Sequence, residues 1–121
     1  MLADEQSIDR RQTFIRQKAK ENRPDPAGQK ILWSRHTIAK LIVEGLSRRE
    51  IEQALASCEV IEAYPARTRP LPDCLVLGWL AEGQPVHAVV AIDEMNDRVF
   101  VITVYRPDPR RWENGYRTRK G

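Results

Sequence analysis

The sequence predicts an α+β domain in which two helices pack on one face of a four-stranded, mainly antiparallel sheet, preceded by a helical arm. Three observations carry that prediction. Between Ser34 and Cys58 lie two short segments, each beginning at a serine able to cap a helix and each with apolar residues three and four apart. At Val60 the apolar pattern changes from helical to strand-like alternation. From there to Tyr105 four apolar runs follow across short connections. An antiparallel meander with both helices on one side is the economical arrangement for such a chain.

Residues 4–21 are rich in helix formers, but Ile8, Phe14, Ile15 and Ala19 make a thin apolar stripe. The stretch Asn22 to Gly28, NRPDPAG, then interrupts any helix with two prolines and a glycine. Residues 1–30 therefore read as an appended arm and linker, ordered by a partner if at all, and residues 31–121 as a single domain. A short apolar piece, Ile31 to Trp33, leads to Ser34, which caps a helix from Arg35 to Glu44 with Ile38, Leu41 and Ile42 on one face. Gly45 is its C-terminal stop. Ser47 caps the second helix, Glu50 completes a capping box, and Ile51, Ala54, Leu55 and Cys58 form its apolar face.

Strands follow. Val60 to Tyr64 alternates, and Pro65, Pro70 and Pro72 punctuate the next loop. Cys74 to Leu80 is almost continuously apolar, as a central strand would be. Glu82 to Gln84 turns the chain into Val86 to Ile92; Asp93 to Asp97 turns it again into Val99 to Tyr105. Two registers are open for this hairpin. A four-residue loop pairs Ile92 with Val99 and sets His87 opposite Val104, diagonal to Arg106. A three-residue loop sets His87 beside Thr103 and Tyr105 instead.

Composition narrows the function classes. The chain of 121 residues carries 41% hydrophobic and 31% charged residues and a net charge of +3. No apolar run reaches the ~20 residues of a membrane span. The start, MLADEQSIDRRQ, has no apolar segment behind its charges, so no signal peptide is expected and a cytoplasmic protein is the simplest expectation. Cys58 and Cys74 sit among apolar residues without a CxxC pattern, which points to buried free thiols. Charge is uneven: +2 over residues 1–30, −3 over 31–104 and +4 over 105–121. A basic tail on a mildly acidic body suits a polyanion or an acidic protein, and equally a solvated tail.

No metal-ligand spacing, glycine-rich phosphate loop or nucleophile elbow occurs, so neither metal nor cofactor is expected. The candidates for chemistry are histidines and arginines. His36 and Lys40, one helical turn apart, could share a phosphate; the alternative is a helix-start histidine bonded to a carbonyl or water. His87 lies in a strand, either as a catalyst or as a satisfied structural group. Arg106 ends the last strand, available to a phosphate or paired with Asp108 or Asp73. Trp112 and Tyr116 interleave with Arg110, Arg111, Arg117 and Arg119. Trp112 could stack on a base while Arg117 and Arg119 hold phosphates, or fold back as a core plug. Histidine and arginine without a metal suit RNA cleavage, where the 2′-hydroxyl is an internal nucleophile.

The ordered pieces ILWSRH, GLSRREIEQAL, VIEAYP, RPLPDCLVLG, PVHAVVAID and VITVYRPDPRRWENGYRTR closely resemble the bacterial domain-of-unknown-function family 4258 over about residues 31–120. That family is similar to the RelE-like and BrnT-like ribonuclease toxins. The resemblance implies a RelE- or barnase-like arrangement of helices on a curved antiparallel sheet and metal-independent RNA cleavage. It also implies an antitoxin-like partner, in some cases one with a zinc-finger domain. By resemblance, His36, His87, Tyr105 and Arg106 occupy the matching polar positions: the histidines as base and acid, Arg106 stabilising the phosphorane, Tyr105 orienting or donating. The net acidic body departs from the dense basic lining of ribosome-dependent members. Cleavage of free RNA and a non-catalytic module binding a protein through the hairpin edge or basic tail both remain open.

Overall fold

The computed structural model describes residues 5–64 and 70–121, so Pro65 and the loop that it opens lie outside the described residues. Three helices and seven strands follow in order. They are α1 (Glu5–Glu21), β1 (Ile31–Trp33), α2 (Arg35–Glu44), α3 (Arg48–Leu55), β2 (Glu59–Tyr64), β3 (Asp73–Trp79), β4 (Pro85–Asp93), β5 (Arg98–Tyr105), β6 (Trp112–Glu113) and β7 (Thr118–Arg119). The fold is α+β, but its main sheet has five strands in the order β1-β5-β4-β3-β2 and is mixed. The short piece Ile31 to Trp33, too brief to read as a strand, pairs in parallel with Val99 to Val101. Long-range pairing of this kind leaves no local pattern.

Local chemistry sets the helix ends. Ser34 Oγ accepts from Thr37 N at 3.1 Å and Ser47 Oγ accepts from Glu50 N at 3.1 Å. Gly45 ends α2 at φ 69°, where Leu46 N reaches back to the Leu41 carbonyl at 2.9 Å. The apolar face of α3 is buried as read. That of α2 is not: Thr37 and Leu41 face inward, whereas Ile42 is 77% exposed.

The helix expected as an appended arm is part of the packed unit. Ile15 is fully buried in the core, with Ile8, Phe14 and Ala19 against it. Much of its docking is polar and therefore invisible to a hydrophobic pattern. Arg11 Nη1 donates to the carbonyls of Tyr64 and Asp73, Arg16 Nε to that of Cys58, and Val60 N donates to Gln12 Oε1. The bonds at Val60 and Tyr64 satisfy backbone groups of the edge strand β2, which would otherwise offer a pairing template, and those at Cys58 and Asp73 satisfy groups just before β2 and at the start of β3. Lys18 is buried between Glu21 and Asp97, at 2.7 and 2.6 Å. Burial works against its charge, but the two carboxylates outweigh it and leave the ammonium pKa raised.

The sheet has two unlike faces. Cys74 and Val76 of β3 and Val86, Ala88, Val90 and Ile92 of β4 join the helices in the core. Leu77, His87 and Tyr105 lie in one cross-strand row. By strand alternation their side chains take the opposite face. There the C-terminal segment 107–121 folds back as a strap, its β6 and β7 forming a two-stranded hairpin. Two bulges shape this second face. Ile92 pairs with Val99, as a four-residue loop requires, but Val89 meets Thr103 while Val90 meets Val101. Ile102 is thus the extra residue, and His87 ends opposite Tyr105 rather than Val104. The buried Thr37 hydroxyl donates to the Ile102 carbonyl at 3.0 Å. In β2 the same shift falls between Val60 and Glu62.

Candidate functional site

His87 is the centre of the second face and is 0% exposed. Its Nε2 lies 2.9 Å from the Tyr116 carbonyl and its Nδ1 3.1 Å from the Tyr105 hydroxyl. A carbonyl only accepts, so Nε2 carries the hydrogen and Nδ1 accepts from the Tyr105 O–H. Both ring nitrogens are therefore satisfied in the neutral imidazole. Burial pushes the His87 pKa down, only partly offset by the Tyr116 carbonyl and the charge of Glu62. Burial also raises the Tyr105 pKa.

The strap seals this pair. Trp112, 7% exposed, meets the His87 ring edge-on with centroids 4.4 Å apart, and the Arg119 guanidinium lies 4.8 Å over the Trp112 ring. Asn114, Gly115 and Tyr116 all have positive φ, a tight left-handed turn at the point where the Tyr116 carbonyl meets His87. Two forked ion pairs tie the strap to β2. Arg117 reaches Glu59 with Nε at 2.8 Å and Nη2 at 2.9 Å; Arg119 reaches Glu62 at 2.7 and 3.0 Å. Tyr64 OH also donates to Glu62. The Arg117 hydrogen bond holds Glu59 below the usual carboxylate range. For Glu62 burial acts against ionisation, but Arg119 and Tyr64 prevail and its pKa too is lowered.

Where the strap leaves the end of β5, Tyr105 and Arg106 together with the strap residues Asp108, Arg110, Arg111, Trp112, Arg119 and Lys120 line an open groove of about 630 Å³. Its one acid among the described lining residues, Asp108, is paired with Arg110 at 3.2 Å. Arg106 Nε donates instead to the Glu44 carbonyl at 3.3 Å. Arg111 and Lys120 are exposed with no ion partner among the described residues.

The structure therefore joins some of the expected site residues and separates others. His87, Tyr105, Trp112 and Arg119 form one cluster, with Arg106 next to Tyr105 on the groove wall. His36 does not join them. It is exposed in the first turn of α2, whereas Arg106 is held at the last residue of that helix, about 12 Å along its axis at 1.5 Å per residue. Lys40, also exposed, touches Thr103 Oγ1 at 3.4 Å. Trp112 folds back on the sheet, 7% exposed, with His87 meeting its ring edge-on and the Arg119 guanidinium over it. Arg117 and Arg119, read as phosphate contacts, are both taken by glutamates. Those glutamates were not legible in advance: residues three apart in a regular strand point to opposite faces, and only the bulge brings Glu59 and Glu62 to one side. Arg111 and Lys120 had a signal in the basic tail, but no register to place them.

Cys58 and Cys74 are free and buried, and burial pushes each thiol up to about 12. Among the described residues no helix is long and apolar enough to cross a membrane.

Fold and site define a small α+β module with a sealed histidine–tyrosine pair beside a basic groove. Residues 33–106, more than half of the chain, match the family described as Domain of unknown function (DUF4258), and the chain belongs to that family. The matched span contains His36, His87, Tyr105 and Arg106 and ends where the strap begins; α1 also lies outside it. No curated protein and no solved structure matches the chain.

Proposed function

We propose that this protein is a relative of the metal-independent ribonuclease toxins and that it holds RNA in the groove beside Tyr105. One observation carries this: Tyr105, whose hydroxyl is bonded to His87, lines a groove whose other charged side chains are mainly cationic. Phosphates would sit on Arg106, Arg111 and Lys120. Tyr105 would take the 2′-hydroxyl proton as its own passes to His87 Nδ1, and Arg106 would balance the phosphorane charge as the 2′-oxygen bonds to phosphorus and the P–O5′ bond breaks. The proton held on Nδ1 would return through Tyr105 to the departing 5′-oxygen. His36, remote from this pair, has no part in the step. A buried imidazole resists the proton that this relay would give it, so the sealed arrangement is a resting one.

The test is incubation of the purified protein with single-stranded RNA in excess chelator, alongside Tyr105→Phe and Arg106→Ala. Cleavage by the wild type, lost in both variants, is expected. Binding should weaken with salt with a log–log slope of about −2, as three phosphate contacts on a single strand imply. RNA left intact at every protein concentration, with no salt-sensitive binding, refutes the proposal.

A second reading, a module that docks an antitoxin-like protein, is favoured by a different observation. Ile42 and Val43 are neighbours on α2 with exposures of 77% and 85%. The hairpin edge is less available, because β4 lies between β3 and β5, and β5 is flanked by β1. Complex formation with the product of a neighbouring gene should fail in an Ile42→Glu, Val43→Glu variant; an unchanged complex removes α2 as the surface.

A further inference from the structure

We infer that Glu59 and Glu62 stand in for RNA phosphates on Arg117 and Arg119, so that RNA binding exchanges the carboxylates, lifts the strap and uncovers His87. This rests on the RNA reading above and adds its regulation. Three features support it.

First, both guanidiniums are engaged through Nε and Nη2 on the two oxygens of one carboxylate, at 2.7 to 3.0 Å. A phosphate offers the same pair of oxygens to the same fork, so exchange needs no new geometry. The match is built by the sheet. The bulge between Val60 and Glu62 sets both acids on the strap side, facing two arginines that alternate along the strap.

Second, the latch is of a kind that charge can open. Both partners of the Arg117–Glu59 pair are more than one-third exposed, so that pair contributes little and is screened by salt. Arg119 is exposed, but its partner Glu62 is largely buried and makes the firmer half of the latch. Among its described residues the strap buries two side chains, Pro107 at its start and Trp112. Its hold also includes the bond from His87 to the Tyr116 carbonyl and the edge contact of Tyr116 with Trp79, at 6.2 Å.

Third, the strap covers the His87–Tyr105 pair. Lifting it would remove the Tyr116 carbonyl from Nε2 and let water reach the imidazole. It would also free the Arg117 and Arg119 guanidiniums for phosphates, together with Arg111 and Lys120 of the same strap, while Arg106 stays at the end of β5. The segment lies beyond the residues matched to the family.

The experiment follows His87 acylation by diethylpyrocarbonate, read on peptides by mass spectrometry, with exposed His36 as internal standard and alkylation of Cys58 and Cys74 as a monitor of the opposite face. In the wild type His87 should react at least tenfold more slowly than His36. Glu59→Gln/Glu62→Gln should raise His87 reactivity about tenfold or more with both thiols still protected, and a 20-residue oligouridylate should do the same to the wild type. His87 unchanged within twofold in the glutamine variant overturns the latch. Thiols exposed together with His87 also overturn it, since the glutamates would then support the whole fold. Opening by the variant but not by the oligonucleotide overturns the exchange. Any of these failures with RNA still bound or cleaved retires the latch alone; failure alongside absent RNA binding retires the RNA reading too.

Discussion

Tyr105→Phe removes a single oxygen and tests the geometry on which the site depends. In the wild type the phenol donates to His87 Nδ1 at 3.1 Å while Nε2–H is committed to the Tyr116 carbonyl. The imidazole cannot change tautomer to compensate, because that would leave a nitrogen lone pair facing a carbonyl oxygen. It cannot turn to water either, being fully buried. The variant thus loses a hydrogen bond with a net value of about 1 kcal/mol and leaves a buried acceptor bare, for a total of about 1–3 kcal/mol. Phenylalanine keeps the ring contact with His87, at 5.3 Å, so packing should change little. Urea unfolding should show a lower midpoint at unchanged slope. A His87→Leu, Tyr105→Phe double variant should be less destabilised than the two single losses added together, with a coupling of about 0.5–1.5 kcal/mol. Nitrogen-15 shifts of the wild-type ring should report the Nε2–H form. An Nδ1–H ring, or a Tyr105→Phe cost below about 0.5 kcal/mol, would refute the account.

Three further outcomes are expected. Thr37→Val strips the donor from the bulge carbonyl of Ile102 and should cost about 1–3 kcal/mol in urea unfolding, against near-neutral Thr13→Val on the exposed side of α1. Stability should depend on pH in two windows. The lowered His87 pKa means that the unfolded chain binds more protons as pH drops below about 6.5, so stability present above that value declines toward the folded pKa. The lowered Glu59 and Glu62 values add a second decline that begins as pH falls through the usual carboxylate range and continues toward their folded values. A urea midpoint constant from pH 8 down through the acid range to the folded carboxylate values would contradict both. Cys58 and Cys74, with thiols pushed up to about 12 by burial, should alkylate at least a hundredfold more slowly in the native protein than in urea, and native labelling at the denatured rate would contradict their burial.

What the chain encodes locally was legible. Serines at positions 34 and 47, glycine at 45 and the switch of period at Val60 act through bonds within a few residues, and they mark the helices, strands and turns that form. The α+β class followed from them. Non-local partners decided the rest. Residues 31–33 become a strand only because β5 offers its edge, and α1 docks through arginine and glutamine side chains on a strand forty to sixty residues away. The bulges matter most to the site. An extra residue in a strand is stabilised by what meets its freed backbone, here the Thr37 hydroxyl on the Ile102 carbonyl, and no neighbouring residue announces it. Those two slips set His87 opposite Tyr105 and turn Glu59 and Glu62 toward the strap. Residue types can be read along a chain, but which of them share a face is settled by pairing between strands, because each one-residue shift reverses every side chain beyond it.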